Sequence, residues 1–421
     1  MGRWLYSALL YLIFPGILLL LWYRGLKDPA YRENWGERFG HVEPMAEPGC
    51  IWVHAVSVGE TLAALPLIRR LMQQFPERPF LVTTMTPTGA ERVRAAFGDQ
   101  VRHAYIPYDL PHMVNRFMGQ IQPALLVIME TEVWPNLVNA CDRRRVPVVL
   151  ANARLSARSS RGYRRVLPLV RPVFRQLTWI AAQASPDADR FRALGVDPER
   201  LSITGSIKYD VAIGRETRES AARLREKLGR DRPVWIAAST HEGEEEAVLR
   251  AHRKVLQEHP EALLIVVPRH LERFQSVARL ITEAGLKHAR RSRGESARGC
   301  SVYLADTMGE LLMLFGSSDV AFVGGSLIER GGHNPLEPAA WSLPVVMGPQ
   351  VFNFSSVCER LERQGGLSFV QDAAELAAEI SRLFSDPDEC SARGENARAV
   401  IAANRGAVDR LAKGIAQVIS P

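Results

Sequence analysis

The sequence has few cysteines, and none of the spacings by which cysteine and histidine commonly hold a metal ion. Its 421 residues include five cysteines, which are scattered and form no CxxC pair. Such cysteines indicate the reduced thiols of a cytosolic protein rather than a disulfide framework or a zinc site. His241 stands among glutamates in STHEGEEE, but this spacing fits no HExxH, and acidic residues favour a first helical turn. No metal site is predicted.

Signals of nucleic-acid binding and of disorder are also lacking. The net charge of +7 indicates an acidic partner, but few aromatic residues lie between the basic ones and no nucleic-acid-binding motif appears. Apolar residues make up 47% of the chain, which is enough to fill two ordinary hydrophobic cores. The length of the chain favours two domains.

One stretch lacks charge altogether, WLYSALLYLIFPGILLLLWY from Trp4 to Tyr23. About 20 helical residues, each rising ~1.5 Å, cross a hydrocarbon core. A cleaved signal peptide is disfavoured because no small-residue cleavage site follows before Arg24. Basic residues are more frequent after the stretch than before it, which places the rest of the chain in the cytoplasm. Residues 1–25 are therefore predicted to be a membrane anchor, and a Pro-Gly pair within them leaves open a full crossing or entry into one leaflet.

Beyond the anchor, short apolar runs alternate with amphipathic helical patterns, which predicts doubly wound parallel sheets. The first group of strands is predicted at 51–56, 80–84, 124–129, 148–151 and 179–182. After a charged, helical connection at 211–232, a second group is predicted at 234–238, 263–267, 302–305, 320–323 and 344–347. The repetition predicts an α/β fold of two Rossmann-like domains, residues 46–210 and 211–421, facing each other across a cleft.

Ligands of parallel sheets bind at the carboxyl ends of the strands, so charged residues there are candidates for catalysis. Glu60, after the first strand, suits a general base toward a substrate hydroxyl, or merely a favourable charge in a first helical turn. Glu130 and Glu132 directly follow the third strand, and one of them can be only a helix cap. Lys208, near the domain junction, either neutralises a carboxylate or phosphate or is an ordinary surface lysine.

Seven arginines make the region after the fourth strand the most basic part of the chain. They are Arg154, Arg158, Arg161, Arg164, Arg165, Arg171 and Arg175. A run of charges is most often a solvated surface. Here nearly all the charges have one sign and the chain carries a predicted anchor, so contact with anionic lipid or with a phosphorylated lipid substrate is favoured.

The stretch 319–337, DVAFVGGSLIERGGHNPLE, predicts a strand, a glycine-rich loop and a helix N-terminus. Asn334 suits the N-cap, and free N–H groups at such an end attract phosphate, which glycines allow to approach closely. Glu337 would then accept hydrogen bonds from a ribose. Alternatively, Asn334 and Glu337 have the spacing of a capping box. Arg269 and the backbone of Met308 to Glu310, which also follow strands, are further candidates for nucleotide contacts.

Six motifs, in this order behind the anchor, carry a resemblance: HAVSVGE, ETEVWPN, TGSIKYD, VPRH, DTMGEL and GGSLIERGGHNPLEPA. Together they resemble the Kdo transferases of lipid A biosynthesis over essentially the whole chain. The resemblance implies a bacterial inner-membrane glycosyltransferase of GT-B architecture that moves 3-deoxy-D-manno-octulosonic acid (Kdo) from CMP-Kdo to a phosphorylated lipid A precursor and releases CMP. It also implies inversion by direct displacement, without a covalent intermediate, a metal ion or a cofactor.

The resemblance also assigns roles to residues of this sequence. The general base falls on Glu60, and the transition-state stabilisers fall on Glu130 and Lys208. The implied CMP contacts are Pro268, Arg269, Met308, Gly309, Glu310, Asn334, Pro335, Leu336 and Glu337. The lysine motif departs mildly from the family pattern, since SIKYD stands where a run of the type asparagine-leucine-lysine-phenylalanine-aspartate is expected. The implied partners are CMP-Kdo, the lipid A precursor and inner-membrane lipids, with no nucleic acid, and the catalytic domains lie on the cytoplasmic side.

Two other functions remain open. One is a different membrane-associated GT-B enzyme that uses a UDP-sugar and a lipid acceptor. The other is a non-catalytic scaffold that binds nucleotide sugars or lipids, although Glu60 and Glu130 at neighbouring strand ends argue against it.

Overall fold

The computed structural model describes residues 2–419. Met1 of the predicted anchor, and Ser420 and Pro421 of the predicted C-terminal domain, lie outside the described residues. The chain divides into two compact units. One contains the residues up to Asp210 together with the chain from Arg405 onward, and the other is Val211–Asn404.

The first unit is built on a sheet of seven parallel strands. Its strands are β1 (Cys50–His54), β2 (Phe80–Thr84), β3 (Arg102–Tyr105), β4 (Pro123–Met129), β5 (Val148–Ala153), β6 (Trp179–Ala182) and β7 (Leu201–Ile203). They lie in the order β3-β2-β1-β4-β5-β6-β7. The central strands are buried on both faces: in β1, Trp52 packs into one layer of the core, and Ile51 and Val53 pack into the other.

Within residues 2–210, the structure describes nine α-helices of the first unit. They are α1 (Gly2–Lys27), α2 (Trp35–Arg38), α3 (Val58–Gln74), α4 (Pro87–Phe97), α5 (Pro111–Ile121), α6 (Pro135–Arg143), α7 (Ala157–Arg165), α8 (Leu167–Arg175) and α9 (Ser185–Ala193). Within the described residues, α1 is the one helix long and apolar enough to cross a membrane, with a mean hydropathy of 2.1. The N-terminal helix expected of an anchor is thus present.

The second unit repeats the arrangement with another seven parallel strands. In chain order its elements are α10 (Arg215–Leu228), β8 (Val234–Thr240), α11 (Glu245–Glu258), β9 (Leu263–Pro268), α12 (Phe274–Glu283), β10 (His288–Arg290), β11 (Val302–Leu304), α13 (Leu311–Phe315), β12 (Val320–Val323), α14 (Leu336–Ala340), β13 (Val345–Met347), α15 (Ser355–Arg363), β14 (Leu367–Phe369), α16 (Ala373–Ser385) and α17 (Pro387–Asn404). The strand order is β10-β11-β9-β8-β12-β13-β14. The predicted α/β fold of two Rossmann-like sheets is confirmed.

The last helix, α18 (Ala407–Ile419), does not belong to the second unit. Its apolar face, including the fully buried Leu411 and Ile415, completes one core layer of the first unit. The Asp210 carboxylate fixes the start of α18 by accepting hydrogen bonds of 2.6 Å from the N–H groups of Gly406 and Val408. The prediction of a single C-terminal domain at 211–421 is therefore wrong for its last residues, because this apolar face is needed by the first sheet.

Candidate active site

In the first sheet the strand order reverses between β1 and β4, which are neighbours in space but not in the chain. Glu60 lies in the first turn of α3, just after β1, and Glu130 directly follows β4. Two of the predicted catalytic residues therefore lie at the carboxyl edge of adjacent strands. This reversal point is where doubly wound sheets bind their ligands.

Glu60 is held in place by local hydrogen bonds. The Val56 N–H donates to its Oε2 and the Ser57 hydroxyl donates to its Oε1, both over 2.9 Å, while the Glu60 N–H donates to Ser57 Oγ over 3.2 Å. This reciprocal pattern is a capping arrangement, so Glu60 also helps to begin α3. Burial, together with the nearby charges of Glu130 and Glu132, raises the pKa of Glu60 to about 7, although the hydrogen bonds from Val56 and Ser57 oppose this shift. A carboxyl group with a pKa near neutrality suits a general base.

Glu130 adopts an unusual backbone conformation. Its φ of 56° is in the left-handed region, which is costly for a residue with a side chain. Its N–H donates to the carbonyl of Ala151 over 2.9 Å, so the end of β4 is fixed to the neighbouring β5. Strain of this kind concentrates at functional sites. Glu132, by contrast, accepts a hydrogen bond of 3.3 Å from Trp134 Nε1.

Lys208 lies on a short 3₁₀ turn, Ile207–Tyr209, that follows β7. Although β7 is an edge strand, this turn packs against α3, whose first turn carries Glu60. The Ile207 N–H donates to Oδ1 of the fully buried Asn152, at the end of β5, over 3.2 Å. The structure therefore brings the lysine turn back toward the helix that carries the candidate base.

The second sheet reverses its order between β8 and β12, and the glycine-rich loop follows β12. The backbone N–H groups of this loop do bind an anion, but the anion is the chain's own Glu244. Its fully buried carboxylate accepts hydrogen bonds from the N–H groups of Gly325, Ser326 and Leu327 over 2.7, 3.1 and 3.0 Å. Glu244 therefore takes up these three donors, which are distinct from the helix end at Asn334 to Glu337 where the phosphate contact is predicted. Sequence reasoning missed this role because Glu244 looks like its two acidic neighbours in EGEEE.

The helix after the loop, α14, has five residues and begins at Leu336, with Pro335 rather than Asn334 in the cap position. The Asn334 side chain accepts a hydrogen bond from the Leu336 N–H and donates one to Glu337 Oε1, both over 3.1 Å. The capping alternative is thus realised in part. Burial raises the pKa of Glu337, and the hydrogen bond from Asn334 and the charge of Arg269 oppose this shift. Arg269 therefore lies near enough to Glu337 to act on its charge.

Three histidines come together beside this loop. Nε2 of His241 and Nε2 of His333 are 2.7 Å apart, with the rings stacked, and the His270 ring packs edge-on against His241 at 5.4 Å. Such a short distance requires one proton between the two nitrogens. The pKa of His333 is lowered to about 4 by burial and by the positive charge of Arg269, and that of His241 is lowered to about 4 by burial, His270 and Arg330. This electropositive environment suits an anionic ligand.

Met308, Gly309 and Glu310 follow β11, in the same edge of the second sheet as Arg269 after β9. The Glu310 carboxylate is engaged by Arg291, whose Nε donates to Oε2 over 2.6 Å. Gly309 and Glu310 line a cavity of about 910 Å³ within the second unit. Arg269 and residues 334–337 do not line this cavity, although they follow strands of the same sheet.

In the part of the chain that the structure describes, no group of three or more His, Cys, Asp and Glu side chains has the geometry to hold a metal ion.

Two known protein families match this chain, and together they cover most of both units. Residues 33–211 match the family described as 3-deoxy-D-manno-octulosonic-acid transferase (kdotransferase). Residues 246–400 match the family described as glycosyl transferases group 1.

Individual relatives match over nearly the full length. The chain is 43% identical to a 3-deoxy-D-manno-octulosonic acid transferase of Haemophilus influenzae over 98% of this chain and 97% of the relative. It is 36% identical to the enzyme of the same name from Bordetella pertussis, over 97% and 98%. Among solved structures, a UDP-N-acetylglucosamine 2-epimerase homologue from Listeria monocytogenes has a TM-score of 0.57 at 14% identity, covering 88% of this chain and 96% of that chain. This last similarity concerns the fold alone.

Proposed function

The chain belongs to the 3-deoxy-D-manno-octulosonic acid (Kdo) transferase family and is a glycosyltransferase, and from this premise we propose its donor, acceptor and mechanism. The donor is CMP-Kdo and the acceptor is a phosphorylated lipid A precursor. Transfer inverts the anomeric carbon by direct displacement and releases CMP, with no metal ion or cofactor. The observation that carries the proposal is Glu60, a half-buried carboxyl group with a pKa near 7 at the reversal point of the first sheet.

In the proposed reaction a hydroxyl group of the lipid attacks the anomeric carbon of Kdo as the bond to the CMP phosphate breaks. Glu60 takes the hydroxyl proton as the new bond forms. Glu130 and Lys208 stabilise the charges of the transition state. In the second unit Arg269 offsets the charge of the departing phosphate, and Pro268, Met308 to Glu310 and Asn334 to Glu337 contact CMP.

The direct test is incubation of the purified enzyme with CMP-Kdo and a tetraacylated lipid A precursor, followed by the mass of the lipid product. The expected product is heavier by one or more Kdo units, with release of an equal amount of CMP. Parallel titration with CMP and UDP separates this donor from a UDP-sugar, since we expect CMP alone to stabilise the protein. An absence of turnover with tight CMP binding would instead favour a non-catalytic role.

Turnover should depend on pH through Glu60. The base works as a carboxylate, and its pKa is raised to about 7. We therefore expect kcat/KM to fall about tenfold per pH unit well below 7 and to level off above it. Initial rates at constant ionic strength check this. If kcat/KM did not change from about pH 5.5 to 8, turnover would not depend on the ionisation of Glu60.

Glu337→Ala should weaken CMP binding roughly ten- to a hundredfold, because one lost hydrogen bond to a ligand costs ~1–3 kcal/mol. The Asn334 side chain also loses its partner, so a modest loss of stability is expected as well. Calorimetric titration with CMP beside a melting curve separates the two effects. Unchanged CMP affinity with a lower melting temperature would assign Glu337 to capping alone.

We further propose that the protein resides at the bacterial inner membrane, with both units on the cytoplasmic side. The apolar α1 and the arginines of α7 and α8 support this location.

A further inference from the structure

Although α1 is long and apolar enough to cross a membrane, one of its faces is covered along the whole helix. The residues of this inner face, which are buried or half-buried, are Arg3, Tyr6, Ser7, Leu10, Phe14, Ile17, Leu18, Leu21 and Gly25. They recur every three or four residues, which is the spacing of a single helix face. From the first to the last, this face is about 33 Å long at ~1.5 Å per residue, as long as a hydrocarbon core is thick.

The inner face makes polar contacts near the start of the helix. The Ser7 hydroxyl and the Arg3 guanidinium both donate to Oδ1 of Asn136, over 3.0 and 3.3 Å. The Asn136 N–H in turn donates over 3.0 Å to the buried carboxyl group of Asp109. If α1 crossed a bilayer, this network would have to enter the membrane with it. Charged and polar groups at that depth are costly.

Aromatic contacts continue the packing toward the middle and the end of α1. The Tyr11 hydroxyl lies 2.7 Å from Nδ1 of His112, with the two rings stacked at 5.7 Å. Phe14 packs edge-on against Tyr108 at 5.3 Å, and further along the Arg32 side chain lies over Gly25. These contacts would all be lost if α1 left the first unit to span a bilayer.

The outer face of α1 is apolar and exposed. Its large side chains, each at least 46% exposed, are Trp4, Leu5, Leu9, Leu12, Ile13, Leu19, Leu20, Trp22, Tyr23 and Leu26. The start of α1 contacts α8 at Leu169. The seven arginines on and before α7 and α8 are exposed, and none forms an ion pair with a carboxylate of residues 2–419. An apolar helix face beside unpaired cations fits the surface of an anionic bilayer.

We propose that α1 lies in the plane of the membrane interface, as a monotopic anchor that does not cross the bilayer. Its outer face enters the boundary between headgroups and acyl chains, to a depth of roughly 5–10 Å. The arginines of α7 and α8 contact the anionic headgroups beside it. The start of α1 then lies on the same side of the membrane as the rest of the chain. This inference rests on the proposed membrane location but not on the transfer reaction.

The topology is tested in the full chain by a short hydrophilic extension that carries one cysteine ahead of Met1. A membrane-impermeant maleimide is applied to intact and to permeabilised spheroplasts, and labelled peptides are identified by mass. The partly exposed Cys300 of the second unit is the internal control for membrane integrity. We expect both thiols to be labelled only after permeabilisation. Labelling of the extension alone in intact spheroplasts would show a crossing and overturn the proposal.

The outer face is tested by binding to vesicles of phosphatidylethanolamine and phosphatidylglycerol. Leu12→Glu removes an outer-face leucine that is 78% exposed, and Leu271→Glu removes an exposed leucine of the second unit as the matched control. We expect Leu12→Glu to weaken vesicle binding about tenfold or more, because a charge replaces an apolar side chain that enters the acyl region, and Leu271→Glu to leave it unchanged. Equal binding by both variants would overturn the proposed surface. Recovery of the wild-type protein from the soluble fraction would refute the membrane location while leaving the reaction unaffected.

Discussion

Glu60→Gln is expected to lower turnover about 10²–10⁴-fold, which is the usual contribution of a general base. Glutamine keeps the shape of the side chain and an oxygen that can accept the hydrogen bond from Val56 N–H, but it cannot take a proton from the acceptor hydroxyl. CMP affinity should hardly change, because the proposed CMP contacts are residues of the second unit. The melting temperature should stay close to that of the wild type, since the start of α3 is preserved.

Glu132→Gln is the matched control, because Glu132 follows β4, the strand beside β1, and its carboxylate accepts a hydrogen bond from Trp134 and takes no part in the capping of α3. Initial rates with saturating CMP-Kdo and lipid acceptor, beside CMP titration and melting curves, give the comparison. Retention of more than about a tenth of the turnover by Glu60→Gln would lie outside the range for a general base. The role would then pass to Glu130, which directly follows the adjacent strand β4 and has a strained backbone.

The sequence predicted the central part of both sheets well and the edges poorly. Continuous apolar runs mark the buried strands, and β2, β6 and β12 have the predicted bounds. By contrast, β3, β10 and β14 are short strands with the sequences RHAY, HAR and LSF, which no apolar run marks. Edge strands bury one side only and pair with a single neighbour, so their sequences carry a weak signal.

In the candidate site, too, some features could be predicted from the sequence and others could not. Position after a strand was enough to predict that Glu60, Glu130 and Arg269 lie at the carboxyl edges of the two sheets, because the carboxyl ends of parallel strands in one sheet share one edge. The burial of the Glu244 side chain depends on the position of the glycine-rich loop, which is about 80 residues further along the chain and supplies three N–H donors. The docking of α18 on the first unit likewise depends on which of two cores lacks an apolar face. Neither relation is local, so neither leaves a pattern in the chain.

Glu244→Gln is expected to release the glycine-rich loop of the second unit. One carboxylate oxygen accepts from Ser326 and Leu327, and the other accepts from Gly325. Glutamine has an NH₂ group in place of one of these oxygens, and an NH₂ group cannot accept hydrogen bonds from N–H donors. Its remaining oxygen can accept them but carries no negative charge. Hydrogen bonds to a charged group are worth ~1.5–3 kcal/mol each, so the loss should be roughly 3 kcal/mol or more. For a unit of this size that corresponds to a melting temperature lower by about 6–12 °C.

CMP affinity should also fall in Glu244→Gln. His333 and Asn334 belong to the glycine-rich loop, and once this loop is loosened only part of the molecules would have the conformation that binds CMP. Glu242→Gln is the matched control, since Glu242 belongs to the same turn but has an exposed side chain whose partner is Arg273. Melting curves followed by tryptophan fluorescence, with Trp235 buried in the second core, and CMP titration give both readouts. If Glu244→Gln melts and binds CMP as Glu242→Gln does, the buried carboxylate does not hold the loop. The loop must then be fixed by its own contacts, such as the 2.8 Å hydrogen bond from Gly332 N–H to the Gly325 carbonyl.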